Sequence, residues 1–275
     1  MSKDRINGAL TSILKAAAFF GIYFLSQVVA TIVFAFIFTF IEAFKGVTDI
    51  NAIASVLLEK TMELTIISNV IAVIGCIVLL IWFRTEDDGL AEKLDFRLEF
   101  DNMWKVIGFS LALGVFGQLA ISLILNIIPF PASWIEMQNQ SADIIINSPL
   151  FIQIIGVAIM APLAEEIIFR ACIQGTLERG LPAWASILIT SVIFGLMHGT
   201  PISFIYATTL GILMGWLYHA FKSIVPSMLF HFGFNTLSLF LSEDTPLFFF
   251  IASFVVFGVC LGFLIYYSIK NRDYY

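Results

Sequence analysis

The sequence predicts an all-α, polytopic membrane protein with about eight transmembrane helices and both termini in the cytoplasm. Hydrophobic residues make up 60% of the 275 residues and charged residues only 12%, whereas a soluble domain carries about 25% charged residues. Several apolar runs exceed the ~20 residues that a helix needs to cross a membrane. Because these runs are continuous and do not alternate with polar residues, they predict helices and not the strands of a barrel.

Eight spans follow from the apolar runs and from the proline and glycine residues between them. The first run is too long for the apolar part of a signal peptide, so we expect it to be retained. The longest polar insert, residues 84–103, is expected to be a loop or a short surface helix. The predicted spans are 12–42, 62–83, 104–129, 150–178, 181–199, 202–221, 224–242 and 246–269.

The distribution of Lys and Arg predicts the orientation in the cell membrane, because cytoplasmic loops carry an excess of these residues. With the N-terminus inside, the two outer lysines are Lys45 and Lys60, and Arg170 lies within a span. The other eleven of the fourteen Lys and Arg residues lie inside: Lys3, Arg5, Lys15, Arg84, Lys93, Arg97, Lys105, Arg179, Lys222, Lys270 and Arg272. The apolar runs lead us to expect a lipid bilayer around the chain. Because the chain has no basic tract, we expect no nucleic-acid partner.

The fourth span contains three charges, in the stretch APLAEEIIFR. Each charge at the membrane centre costs about 2.5–3.5 kcal/mol on the insertion scale, so a function or an ion-paired helix contact must account for them. Glu166 and Arg170 are four residues apart and can pair along one helix face. Glu165 is rotated by about 100° from Glu166 and can face a cavity without that partner. Glu165 is therefore the candidate base, and the other two are its support.

All three histidines lie in the later spans. His198 follows Phe194 by one turn, and the phenylalanine ring is expected to pack beside the imidazole. His231 and Asn235 are four residues apart and can point at one object. A single histidine could simply bond a neighbouring helix, but this set together suits a reaction. His219 is interpreted as a helix-end residue.

A glutamate, two histidines and an asparagine in a membrane cavity suit hydrolysis. Glu165 and His198 could deprotonate a water, while His231 and Asn235 could donate hydrogen bonds to an oxyanion. A zinc-dependent version stays open, with Glu165, His198 and His231 as ligands. Asparagine is a poor zinc ligand and a good amide donor, which favours the metal-free version. The sequence lacks H-E-x-x-H, an intramembrane aspartate pair and a rhomboid-like serine setting.

Three short motifs resemble those of the CPBP family, the CAAX proteases and bacteriocin-processing enzymes also called Abi, which includes the type II CAAX prenyl endopeptidase. The motifs are EEIIFR at 165–170, FGLMH at 194–198 and HFGFN at 231–235. The resemblance covers about residues 150–240. It divides the chain into N-terminal helices (1–145), a CPBP-like core (146–245) and a last helix with a short tail (246–275).

The resemblance implies an intramembrane endopeptidase, a class often described as metalloproteases, that acts on membrane-associated peptides or proteins. It implies that Glu165 is the catalytic base, that His198 shares the water, and that His231 and Asn235 stabilise the oxyanion. Two other functions stay open: a proton- or ion-coupled transporter that uses the glutamates, and a bacteriocin self-immunity or scaffold protein without catalysis.

One geometric difficulty accompanies the hydrolase hypothesis. At ~1.5 Å per residue, straight helices would place His198 near the outer end of its span and His231 nearer the inner side, about 10 Å apart. Helix tilt, or a kink near Gly195 or Pro226, would have to bring them together.

Overall fold

The computed structural model describes residues 3–47, 49–83, 103–241 and 245–270. These residues form ten helices and no strand, which confirms the predicted all-α fold class. The helices are α1 (Lys3–Phe44), α2 (Ile50–Glu59), α3 (Thr61–Phe83), α4 (Met103–Ile127), α5 (Ala132–Ile146), α6 (Leu150–Leu177), α7 (Ala183–Leu196), α8 (Pro201–Phe221), α9 (Ile224–Ser238) and α10 (Leu247–Lys270). The polar insert lies outside the described residues except for Met103, which begins α4.

All eight predicted spans correspond to helices, but two of them are shorter than expected. Six of the described helices are long and apolar enough to cross a membrane: α1, α3, α4, α6, α8 and α10. Helix α7 has 14 residues and α9 has 15, or roughly 21–22 Å of helix, less than the ~30 Å hydrocarbon core. The predicted bounds 181–199 and 224–242 were therefore too wide, since turn residues end both helices early.

Helices α2 and α5 were not predicted, because the sequence around them reads as outer loops. The side chain of Asp49 caps α2 by accepting a hydrogen bond from the backbone N–H of Asn51. Pro131 precedes the first residue of α5, a position where a missing N–H costs little. Neither helix contains a fully buried residue, so both lie at the surface of the bundle.

The connections define two ends of the bundle. The short link α7–α8, the end of α9 and the start of α10 lie at one end, together with α2 and α5; we call this the far end. The start of α1, the end of α10, and the links α6–α7 and α8–α9 lie at the opposite end, which we call the terminal end. Both lysines that were predicted to be outside lie at the far end and are ion-paired, Lys45 with Glu42 and Lys60 with Glu63.

Helix α6 lies at the centre of the packing, in contact with α1, α3, α7, α8 and α9. Every residue from Glu166 to Gln174 is buried. Helix α9 packs along α4 at backbone distance, because Gly114 meets the carbonyl of Phe230 and Gly233 meets the carbonyl of Leu111. A Cβ atom at Gly114 would collide with that carbonyl. This close packing fixes α9 relative to α4.

Candidate active site

Helix α6 changes its winding on both sides of the two glutamates. The segments Ile154–Met160 and Glu166–Gln174 are π-helical, and a short α-helical piece, Ala161–Glu165, separates them. Pro162 has no N–H to donate to the preceding turn, and a wider turn accommodates this loss. π-Helical turns occur frequently at functional sites. The two π-helical segments were not predicted, although a proline inside an apolar run was a sequence signal for them.

Glu166 occupies the centre of a buried polar chain. Its Oε2 accepts a hydrogen bond from Nε of Arg170 at 3.0 Å, and both side chains are completely buried. Its Oε1 lies 3.2 Å from Nδ1 of His231 on α9. The sequence predicted the partner four residues away on the same helix. The partner on α9 was not predicted, because nothing in the spacing links positions 65 residues apart.

Glu165 differs from its neighbour in having no hydrogen-bond partner. Its side chain lines a cavity and is 17% exposed. Its Oε2 lies 3.8 Å from Nε2 of His231, which is beyond hydrogen-bond distance, and is buried without a partner among the described residues. The structure thus places Glu165 on a cavity wall with an oxygen available for another molecule.

His198 lies in the tight turn between α7 and α8. Gly199 adopts a left-handed conformation with φ of 79°, and Thr200 caps α8 by accepting from the N–H of Ser203. Nδ1 of His198 lies 2.8 Å from the carbonyl oxygen of Phe194. A carbonyl can only accept, so Nδ1 carries the proton and the neutral ring keeps Nε2 as an acceptor. The side chain lines the same cavity as Glu165.

The ring of Phe194 lies beside both imidazoles. Its centroid is 4.6 Å from that of His198 and 6.1 Å from that of His231. The guanidinium carbon of Arg170 lies 5.2 Å from the same centroid, a distance at which a cation is attracted to the ring face. Phe194 therefore contacts both histidines as well as the buried arginine.

Asn235 connects α9 to the first π-helical segment of α6. Its Nδ2 donates to the backbone carbonyl of Val157 at 2.9 Å. That carbonyl lies in a π-helical turn. One amide hydrogen is used in this way, and the second hydrogen and the amide oxygen can still serve a ligand. Asn235 also lines the cavity.

One cavity of about 430 Å³ brings the predicted residues together. Glu165, His198, His231 and Asn235 all line it, together with Phe194. Both histidines line this one cavity, and the ring of Phe194 lies beside each of them. His198 also lines a second cavity, of about 790 Å³, at the far end beside α2 and α5. The two cavities therefore meet at His198.

The zinc alternative requires three ligand side chains around one point. Among the described residues, no group of three His, Cys, Asp or Glu side chains is arranged to hold a metal ion. Nδ1 of His198 is engaged by a carbonyl and Nδ1 of His231 by Glu166, which leaves Nε2 of each ring as the nitrogen that could bind a ligand. Glu165, His198 and His231 line the same cavity, but the three side chains are not spaced as a ligand set in this arrangement.

Other polar residues of the cavity were missed by the sequence reasoning. Asn69 and Thr65 come from α3, and Gln118 and Ser122 come from α4. Each pair is four residues apart within an apolar helix, and this spacing was the available signal. His219 instead lies at the terminal end, with Nδ1 3.0 Å from Glu178, consistent with its interpretation as a helix-end residue.

Comparison with known proteins finds similar sequences. Residues 147–237 match the family of type II CAAX prenyl endopeptidase Rce1-like proteins. The chain is 28% identical over 173 residues to a Bacillus subtilis (strain 168) protein named "Putative membrane peptidase YdiL", covering 61% of this chain and 68% of that protein. It is 24% identical over 150 residues to "UPF0177 protein YbdI" of Lactococcus lactis subsp. lactis (strain IL1403), covering 54% and 79%. No solved structure matches the chain significantly.

The matched segment contains all three motifs, from Glu165 to Asn235. The resemblance to the CPBP family is thus confirmed over residues 147–237, which carry the Rce1-like sequence of a family of membrane proteases. The chain is a polytopic, all-α membrane protein, and its residues 147–237 match that family.

Proposed function

We propose that the protein is an intramembrane endopeptidase that hydrolyses peptide bonds of membrane-associated peptides or proteins. The observation that carries the proposal is the partnerless Oε2 of Glu165 in a cavity shared with His198, His231 and Asn235. A buried carboxylate oxygen without a partner costs free energy, and a reacting water would remove that cost during turnover.

The first step is attack of a water on the peptide carbonyl carbon. Glu165 and the Nε2 acceptor of His198 hold this water, and Glu165 takes its proton as the C–O bond forms. The carbonyl oxygen becomes an oxyanion. When the tetrahedral intermediate collapses, the C–N bond breaks and the leaving amine takes the proton back from Glu165. The products are a carboxylic acid and an amine, and transfer of the remaining proton between them gives a carboxylate and an ammonium group.

Oxyanion stabilisation is assigned to His231 and Asn235. The Nδ1–H of His231 donates to Glu166, so the ring must be protonated to present a second donor at Nε2. Glu166, which is ion-paired with Arg170, accepts this bond and thereby positions the ring of His231.

A peptide library and one isosteric substitution test the proposal. The full-length protein, purified in detergent, is incubated with a library of internally quenched peptides. We expect cleavage that Glu165→Gln lowers at least about 1,000-fold, since general base catalysis and water positioning are lost together. Glu42→Gln, whose side chain pairs with Lys45 at the far end, serves as the control and should retain full turnover.

The alternatives give different results in the same preparation. Equal turnover in the Glu165→Gln protein would contradict the protease. Proton-coupled flux into liposomes that survives loss of His231 would support a transporter. Protection against a bacteriocin that persists in the Glu165→Gln strain would support an immunity or scaffold role without catalysis.

A further inference from the structure

The cavity has a second polar wall that the family motifs do not include. Helix α3 supplies Thr65 and Asn69, and α4 supplies Gln118 and Ser122. These four residues precede the family-matched segment, which begins at residue 147. The wall therefore belongs to the N-terminal half of the chain.

The two helices of this wall present their polar groups at a similar depth. Asn69 and Gln118 each lie roughly two turns from the far end of their helix, and Thr65 and Ser122 lie one turn nearer that end. In the described part of the chain, α3 packs on α1 and α6, whereas α4 packs on α9 and α10, and the two are not a closely packed pair. The cavity between them has amide and hydroxyl groups on both helices.

Asn69 has a free donor. The side chain is only 5% exposed, and Gln27 fixes its orientation by donating Nε2–H to Oδ1 of Asn69 at 3.0 Å. Gln27 is held in turn by the hydroxyl of Ser68, which donates to its Oε1 at 2.6 Å. The oxygen of Asn69 is thus occupied, and its hydrogen bonds to described residues leave the Nδ2 hydrogens unused.

Gln118 has a free acceptor. Its Nε2 donates to Oγ of Ser122 at 3.3 Å. Its Oε1 is buried and has no hydrogen-bond partner among the described residues. A buried, unsatisfied amide oxygen costs free energy, and apolar residues of similar size would avoid that cost in a membrane helix. Its presence in a cavity wall therefore indicates a ligand with a hydrogen-bond donor.

A free N–H donor and a free C=O acceptor are what an extended peptide backbone requires. Inside a membrane, a substrate segment that is unwound for cleavage must have its own N–H and C=O groups satisfied by protein. We propose that Asn69 and Gln118 form a site that binds the substrate backbone, an inference that rests on the endopeptidase function proposed above. Asn69 donates to a substrate carbonyl and Gln118 accepts from a substrate N–H, which holds the chain extended beside Glu165.

N-methylated peptides test the site together with substitutions. The parent is the library peptide with the highest Glu165-dependent kcat/KM, and each analogue carries one N-methyl group at a backbone amide within three residues of the cleaved bond. For the wild type, one analogue should lose about tenfold in kcat/KM, because its N–H can no longer satisfy Gln118.

Gln118→Met should lower kcat/KM for the parent peptide about tenfold. In this variant the N-methylated analogue that the wild type cleaves poorly should have the same kcat/KM as the parent, so that the N-methyl penalty is gone. The thermal stability of the variant should stay equal or rise, because the unsatisfied oxygen is gone. A purely structural role for Gln118 would instead lower stability and leave the N-methyl penalty of the analogue intact.

Asn69→Leu should lower kcat/KM for the parent peptide about tenfold, and the N-methylated analogue should still be cleaved less well than the parent. Asn126→Leu, on an exposed face of α4 outside the cavity, should stay within about twofold on all peptides.

The outcomes separate this site from the protease itself. Cleavage that requires Glu165, combined with an unchanged kcat/KM and an unchanged N-methyl penalty in Gln118→Met, would overturn the backbone-binding site alone. If Gln118→Met does not fold, Gln118→Leu replaces it. The site is also overturned if the wild type cleaves every N-methylated analogue with a kcat/KM within about twofold of the parent peptide. Absence of any Glu165-dependent cleavage would overturn the protease and this site together.

Discussion

Nδ1 of His231 lies 3.2 Å from Oε1 of Glu166, while Oε2 of the same carboxylate accepts from Arg170. The buried glutamate thus joins a cation on its own helix to an imidazole on α9. Because it connects helices that are far apart in the sequence, this carboxylate serves both the packing of the bundle and the chemistry of the cavity.

Glu166→Gln should destabilise the protein by about 3–5 kcal/mol, because it leaves the buried Arg170 charge without its partner. Adding Arg170→Met should recover much of that loss, since the second substitution removes the uncompensated charge. Activity should stay low in the double variant, because His231 has lost its charged partner. Thermal unfolding in detergent and kcat measurements check both points. Equal stability of the Glu166→Gln protein and the wild type would contradict the expectation.

Phe194→Leu should lower kcat about tenfold with a smaller effect on KM, because the ring contacts both imidazoles and positions them. Some loss of stability, about 1–3 kcal/mol, is expected from the space left in the core. Phe36→Leu provides a matched control, because its side chain is 72% exposed on the outside of α1. An unchanged kcat in the Phe194→Leu protein would show that the histidines do not depend on this ring.

Gly199→Ala should impair catalysis through the backbone alone. The glycine has φ of 79° and no atom within 4 Å of a Cβ position, so strain and not a clash opposes the substitution. The expected cost is about 1 kcal/mol or more in stability, with a lower kcat because His198 is the preceding residue. Gly108→Ala, in the open surroundings of a helix, should instead be neutral or slightly stabilising. Comparison of the two variants by unfolding and turnover isolates the effect of the left-handed conformation.

Single-cysteine labelling checks the predicted orientation, with both termini in the cytoplasm. In a chain whose native cysteines are replaced by alanine, a cysteine at Gln140 lies in the far-end cavity beside His198. We expect a membrane-impermeant maleimide to label it in intact cells. A cysteine at Arg179, which is exposed at the terminal end, should react only after the membrane is opened. The reverse pattern would place the far end in the cytoplasm.

The sequence predicts most of the helices because lipid imposes a simple rule: a spanning segment must be apolar and about 20 residues long. Helices α2 and α5 were missed because they are short, whereas α7 and α9 were predicted as spans and only their bounds were too wide. The motif residues are visible since charges such as Glu165 are rare in apolar runs.

Tertiary contacts explain what the sequence could not predict. The bond between Glu166 and His231 and the bond between Asn235 and Val157 join positions with no shared periodicity. Asn69 and Gln118 are uncharged and separated by a long stretch of chain. Each lies four residues from a second polar residue of its own helix, but that spacing does not show that α3 and α4 line the same cavity. The pairing of Glu166 with Arg170 was accessible because it stays within one helix.

The two π-helical segments of α6 make the length of this helix as important as its composition. A π-helical turn contains more residues than an α-helical turn, so deletion of one residue between 154 and 160 would let the segment return to α-helix while the part beyond it keeps nearly the same orientation. Insertion of one residue in the same segment has no such compensation and would rotate everything beyond it by about 100° relative to the start of the helix. Glu166 and Arg170 could still face each other, but Glu165 would turn away from His198. A one-residue deletion along 154–160 should therefore be tolerated more readily than a one-residue insertion.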